Sequence, residues 1–219
     1  MVEGGIWRVV LDFLFPMPCM GCGLFVDSSD SGCVIWCTKC EIMRLNAGIC
    51  TREIAGAQVF SATSFEVASV RSAIHTLKYK MIWRAGEVMG QWMHDCLPPQ
   101  KEKIILVPIP LLEKRLALRG FNQSEILAQG ILRAGGAENF EIKNILVRAR
   151  GRGQQAHRSR QERLGAMQGA FIATEKIDPA VQYCIVDDVL TTGSTMTAAI
   201  EALHHVGVEK ICGVVVAAV

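Results

Sequence analysis

Two adjacent carboxylates, Asp187 and Asp188, follow an apolar run that begins at Val181, and the small residues Thr191-Thr192-Gly193-Ser194-Thr195 come soon after. Charge beside a buried strand costs free energy unless a ligand or partner uses it. The hydroxyl-rich turn suits an oxyanion. Gly193 lets the backbone bend closely, successive N–H groups can form a nest, and a helix starting near Ser194 adds the positive end of its dipole. Carboxylates repel a phosphate, so the acids must address another part of the same molecule. Vicinal hydroxyls of a ribose meet that need, each O–H donating to a carboxylate. The pattern therefore predicts a site for a ribose 5-phosphate unit.

A second chemistry lies near the amino terminus. Cys19-Met20-Gly21-Cys22 and Cys37-Thr38-Lys39-Cys40 are two C-x-x-C knuckles with fourteen residues between them. Four thiolates at this spacing can close a tetrahedron around zinc and leave no open position, so the metal is expected to be structural. Cys33 and Cys50 compete as alternative ligands. The nine cysteines are concentrated here; Cys184 and Cys212 sit in apolar runs and read as small core residues.

A third feature is basic. Arg148, Arg150, Arg152, Arg158, Arg160 and Arg163 fall within sixteen residues, opposed only by Glu162. Such density suits polyanions. It fits either a hood closing over pyrophosphate or a track for single-stranded DNA phosphates. Of rings that could stack on a base, the segment holds only His157.

These residues need a scaffold. At 219 residues, half of them hydrophobic, with a net charge of +2, the chain suits one globular domain plus a small appendage. No apolar run reaches the length of a spanning helix, so no membrane insertion is expected and the reading places the protein in the cytoplasm. The amino-terminal stretch reads as an amphipathic helix with Ile6, Val9, Val10 and Phe13 on one side. Periodicity predicts helices over 69–80, 84–95, 122–133 (with Asn122 as N-cap) and 194–205. It predicts strands over 103–107, 141–147, 169–172, 181–186 and 210–219. Alternating strands and helices imply an α/β fold with a mainly parallel sheet covered on both faces, and ligands beyond the carboxyl ends of its strands.

VDDVLTTGST, residues 186–195, closely resembles the phosphoribosyl pyrophosphate loop of the type I phosphoribosyltransferases. Further motifs narrow the likeness: the cysteine pairs, then His75-Thr76-Leu77-Lys78-Tyr79, Val107-Pro108-Ile109-Pro110-Leu111 and Arg119-Gly120-Phe121-Asn122-Gln123. Together they resemble the ComF family, whose members are associated with natural transformation and DNA use in bacteria. The resemblance implies a zinc-ribbon head over residues 1–55 and a phosphoribosyltransferase-like domain over residues 56–219. It also implies phosphoribosyl pyrophosphate, or a nucleoside 5′-phosphate, as ligand, accompanied by magnesium.

By the same resemblance Asp187 and Asp188 are the catalytic acids, and Val189, Leu190, Thr191, Thr192, Gly193, Ser194 and Thr195 hold the ligand. The 107–111 turn would lie on the pyrophosphate side, with Arg115 and Arg119 nearby to meet its charge. Arg148, Arg150, Arg158, Arg160 and Arg163 would form the hood or touch DNA. Arg152 and Ala166 depart from the family pattern in this segment, while the ligand loop keeps it. Two functions are implied: a phosphoribosyltransferase (a glycosyltransferase) of unread acceptor linked to competence, or a non-catalytic nucleotide-sensing adaptor. The adaptor would engage single-stranded DNA or a competence helicase.

Overall fold

A computed structural model describes residues 18–25, 35–79, 83–99, 102–149, 169–174 and 178–219. Helix α1 (Thr38–Asn46) leads into strands β1 (Cys50–Ile54) and β2 (Ala57–Ser64). Helices α2 (Ala68–Tyr79) and α3 (Trp83–Cys96), strand β3 (Ile104–Pro108), and helices α4 (Glu113–Arg119) and α5 (Gln123–Gly135) follow. Then come β4 (Phe140–Ile142), β5 (Leu146–Arg148), β6 (Phe171–Ala173), β7 (Gln182–Leu190), α6 (Ser194–His204) and β8 (Ile211–Ala218).

The main sheet has the order β1-β2-β8-β7-β3-β4 and is parallel except for β1, which closes one edge as a hairpin with β2. Its turn residues Ala55 and Gly56 both have positive φ, the conformation that two-residue hairpins prefer. Strands β3 and β8 and the stretch Tyr183–Val186 of β7 are apolar because both faces are covered. Alternate side chains feed two cores. Cys184, Val186, Val214 and Val216 pack with α2, α3, α5 and the cysteine-rich head; Tyr183, Ile185 and Val215 pack with α6 and the small β5–β6 ribbon.

Helices α3 and α5 meet at backbone distance. A Cβ placed on Gly90 would lie 2.5 Å from Gly130 Cα. The head is tied into the first core. Trp36 meets Trp92 edge-on at 4.8 Å, Arg44 stacks 4.6 Å from the Trp92 ring, and Ser72 Oγ donates to Met20 O at 2.9 Å. The β1–β2 hairpin straddles the boundary expected at residue 55.

The expected α/β architecture is present, with three local differences. The single strand expected over 141–147 is two strands in different sheets, because the chain leaves the main sheet at Lys143, whose N–H still bonds Leu106 O, and pairs again with β6. Strand β7 runs past both acids to Leu190, since β8 accepts and donates along the backbone whatever the side chains carry. The seven-residue helix α4, which buries nothing, and the β1–β2 hairpin had no sequence expectation. Among the described residues no helix is long and apolar enough to cross a membrane. The amphipathic helix expected near the amino terminus lies outside the described residues.

Candidate functional site

Strand β7 delivers Asp187 and Asp188 to its carboxyl end, where the turn 191–193 enters α6. Gly193 sits at the N-cap with φ +78°, a left-handed conformation that suits glycine, and its carbonyl accepts from Thr197 N. Thr191 and Thr192 are exposed. Thr192 Oγ1 lies 2.9 Å from Ser194 Oγ and accepts weakly from Ser194 N. The cavity beneath the turn, bounded by Asp187, Thr191, Gly193 and Thr195, is about 20 Å³, room for one water. That cavity is too small for a phosphate, and the exposed hydroxyls of Thr191 and Thr192 lie on the open side of the turn. Val189 and Leu190 are strand residues packed against the cores and can offer a ligand only backbone. The larger depressions, about 520 and 580 Å³, are lined by neither acid nor the turn.

The two acids part company. Asp188 is buried and its Oδ2 meets Lys78 Nζ, from α2, at 2.8 Å as charge against charge rather than as an aligned hydrogen bond. Asp187 pairs in register with Val215 of the second core and is half-buried. Its Oδ1 accepts from Ser124 Oγ at 3.3 Å and from Asp188 N at 2.9 Å. Burial pushes the Asp187 carboxyl up to about 7, helped by the charge of Asp188; Asp188 N, Lys78 and Ser124 pull the other way. The sequence reading treats the two acids alike, and the structure separates them: Asp188 is buried and Asp187 is not. Successive strand residues point to opposite faces, and Asp188 points inward to a lysine.

Arg148 ends β5, half-buried, with Nε donating to Pro110 O at 2.9 Å and its guanidinium 4.8 Å from the Phe171 ring. Burial lowers its proton affinity, Asp187 restores some and Arg115 removes some, so the three charges share one neighbourhood. Arg115 is exposed on α4. Arg119 is engaged elsewhere, donating to Gln123 Oε1 at 2.9 Å and stacking 5.2 Å from the Tyr79 ring. Arg150, Arg158, Arg160 and Arg163 lie outside the described residues, as does Cys33. Ser124, which no sequence motif singled out, proves to be a direct partner of Asp187. Its only signal is its place just after Asn122-Gln123.

In the head, the Sγ atoms of Cys19, Cys22, Cys37 and Cys40 lie within 4.8 Å of one another, while Cys50 is exposed on β1. The Cys22–Cys37 separation is 3.8 Å, close to the about 3.8 Å that Zn–S bonds of about 2.3 Å impose on a tetrahedron. Burial pushes the Cys19 thiol up, but N–H groups including those of Cys37 and Gly21, each aimed at its sulfur, outweigh this and bring it down to about 7. Four sulfurs at this spacing, with N–H groups aimed at one of them, fit structural zinc.

Residues 126–219 match the family described as phosphoribosyl transferase domain. The mostly parallel sheet with helices on both faces agrees with that match. Competence protein F of Haemophilus influenzae is 34% identical over 108 residues, which cover 48% of this chain and 46% of that protein. The chain thus spans about half the length of the curated relative it matches. Both findings are consistent with the ComF resemblance. The phosphoribosyl transferase match contains Asp187, Asp188 and the whole hydroxyl turn.

Proposed function

We propose that the chain binds phosphoribosyl pyrophosphate and transfers its 5-phosphoribosyl unit to an acceptor, releasing pyrophosphate, in a competence-linked role. The observation that carries this is the meeting, at one end of the sheet, of a half-buried acid, a hydroxyl turn capped by left-handed Gly193, and a turn at Pro110 flanked by Arg115 and Arg148. The 5-phosphate sits on the outer side of residues 191–195. Asp187 accepts from a ribose hydroxyl and opposes the positive charge that develops at the sugar as the pyrophosphate leaves. Arg115 and Arg148 face the leaving group. Asp188, held by Lys78, stands behind Asp187 and fixes it, and touches the sugar only where Lys78 releases it.

Among the described residues the four cysteines are the only cluster of three or more metal-ligating side chains. Magnesium would arrive with the ligand and would offset negative charge on its pyrophosphate, and no protein cage is assigned to it. The name of the relative, Competence protein F, favours a compatible second reading. In it the same site senses a nucleotide while the arginine segment engages single-stranded DNA or a helicase partner.

Calorimetric titration with phosphoribosyl pyrophosphate and magnesium tests the first reading. Binding that Asp187→Ala abolishes, with pyrophosphate released once an acceptor base is added, supports it. Binding without turnover on any base moves the assignment to the sensor, and absence of binding removes both.

A further inference from the structure

The described polar groups around the site form a closed bracket. Ile109 N donates to Val186 O at 3.0 Å, joining the 107–111 turn to β7. Asn122 Nδ2 donates to Ile109 O at 3.1 Å, while its Oδ1 caps α5 by accepting from Ser124 N at 3.1 Å. Ser124 Oγ donates to Asp187 Oδ1. On the far side Arg148 Nε holds Pro110 O. Asn122 is 6% exposed and Ser124 0%.

Capping alone explains only half of this. An N-cap needs one acceptor, which serine or aspartate supplies as well as asparagine. The carboxamide donor of Asn122 is surplus to the cap and is spent on the turn. Serine hydroxyls near helix starts commonly bond backbone groups close by in the chain. Ser124 instead reaches a residue 63 positions away. Both side chains leave one rigid helix, itself pressed backbone to backbone on α3, so turn and acid are referenced to the same body.

We infer that Asn122 and Ser124 are positioning residues that lock the turn at Ile109-Pro110 to Asp187, presetting the distance between the pyrophosphate side and the sugar side of the site. The inference rests on the proposed phosphoribosyl pyrophosphate reading. A site whose two halves are spaced before the ligand arrives binds without the cost of ordering them. It also selects ligands in which a ribose and a pyrophosphate are joined directly, over ribose 5-phosphate or pyrophosphate alone.

The test uses the full chain with Ser124→Ala and Asn122→Ser, the latter keeping a good cap but losing the donor to Ile109. Two readouts need no ligand. The Asp187 carboxyl, followed by carbon-13 NMR, should titrate higher in Ser124→Ala, because a donor to the carboxylate has gone. The other charges facing it are Asp188 on its own strand, Lys78 from α2 and Arg148 from β5, and all stay in place. The Ile109 amide should exchange faster in Asn122→Ser. Affinity for phosphoribosyl pyrophosphate with magnesium should fall roughly tenfold in each variant, as for a lost hydrogen bond to a charged or buried partner, and Ser124→Thr should recover it.

An unchanged Asp187 midpoint and unchanged Ile109 exchange overturn the bracket. Movement of both with affinity intact overturns its role in spacing the site. Movement of both in a protein that binds no phosphoribosyl pyrophosphate at all keeps the bracket and discards the ligand reading.

Discussion

Lys78 Nζ lies 2.8 Å from Asp188 Oδ2, joining the last turn of α2 to the second acid of the site across the first core. The pair explains how a carboxylate can occupy a buried strand position, and it separates two neighbouring acids that are alike in sequence into an inner anchor and an outer contact. Removing one partner of a buried pair leaves the other uncompensated, which costs about 3–5 kcal/mol in full burial. Lys78 is a quarter exposed, so a discounted loss of roughly 2 kcal/mol is expected for Lys78→Met. Denaturant melts should show Lys78→Met/Asp188→Asn less destabilised than the sum of the single variants. Strict additivity would show that the two charges do not interact.

Asp187 makes a pH-dependent contribution of opposite kind. Its carboxyl stands near 7 in the folded protein, against an ordinary 3.8. Between about pH 4 and 7 the native state holds a proton that the unfolded chain has released, so stability falls as pH rises through that window. Asp187→Asn should therefore melt a few degrees above the natural protein at pH 8, with the gap closing toward pH 4, while losing ligand affinity. A gap that widens at low pH reverses the sign and refutes the assignment.

Metal removal should act on the whole fold rather than on the head alone, because Cys19, Met20, Trp36 and Cys40 share a core with Trp92, Leu77 and Met89. Chelation with a strong zinc ligand, or Cys37→Ser, is expected to lower the midpoint of the entire transition and release one zinc per chain by colorimetric assay. Thermal transitions that stay superimposable, with no zinc released, would remove the structural role.

Close approach at the α3–α5 crossing leaves no room for a methyl group. Gly90→Ala puts a Cβ against the Gly130 backbone, which cannot yield as a flexible side chain does. Overpacking of this sort costs about 1–3 kcal/mol, outweighing the gain in helix propensity of about 1 kcal/mol that an exposed site would show. Urea unfolding of this variant should show a lower midpoint. A raised midpoint would mean that the helices separate freely.

Asn122 shows how far sequence reasoning reached: its residue type and position were enough to predict the cap of α5, and the structure has it. The cysteine tetrad was legible for a similar reason, since knuckle spacing constrains geometry within a few residues. The strand–turn–helix around Gly193 was legible because glycine and small hydroxyls have local conformational meaning. The split of 141–147 into two strands was not, as strand propensity does not say which neighbour a strand will pair with.

What the chain encodes locally is therefore the fold class, the cysteine cluster, the hydroxyl turn and the presence of two acids. Which acid stays half-exposed, that Lys78 neutralises the other, and that Ser124 and Asn122 tie Asp187 to a turn at Pro110 were decided only when β7, α2, α5 and β3 came together. Those relations join residues far apart in the chain, and they exist only through the low-dielectric, closely packed interior that brings such charges and donors within hydrogen-bonding distance.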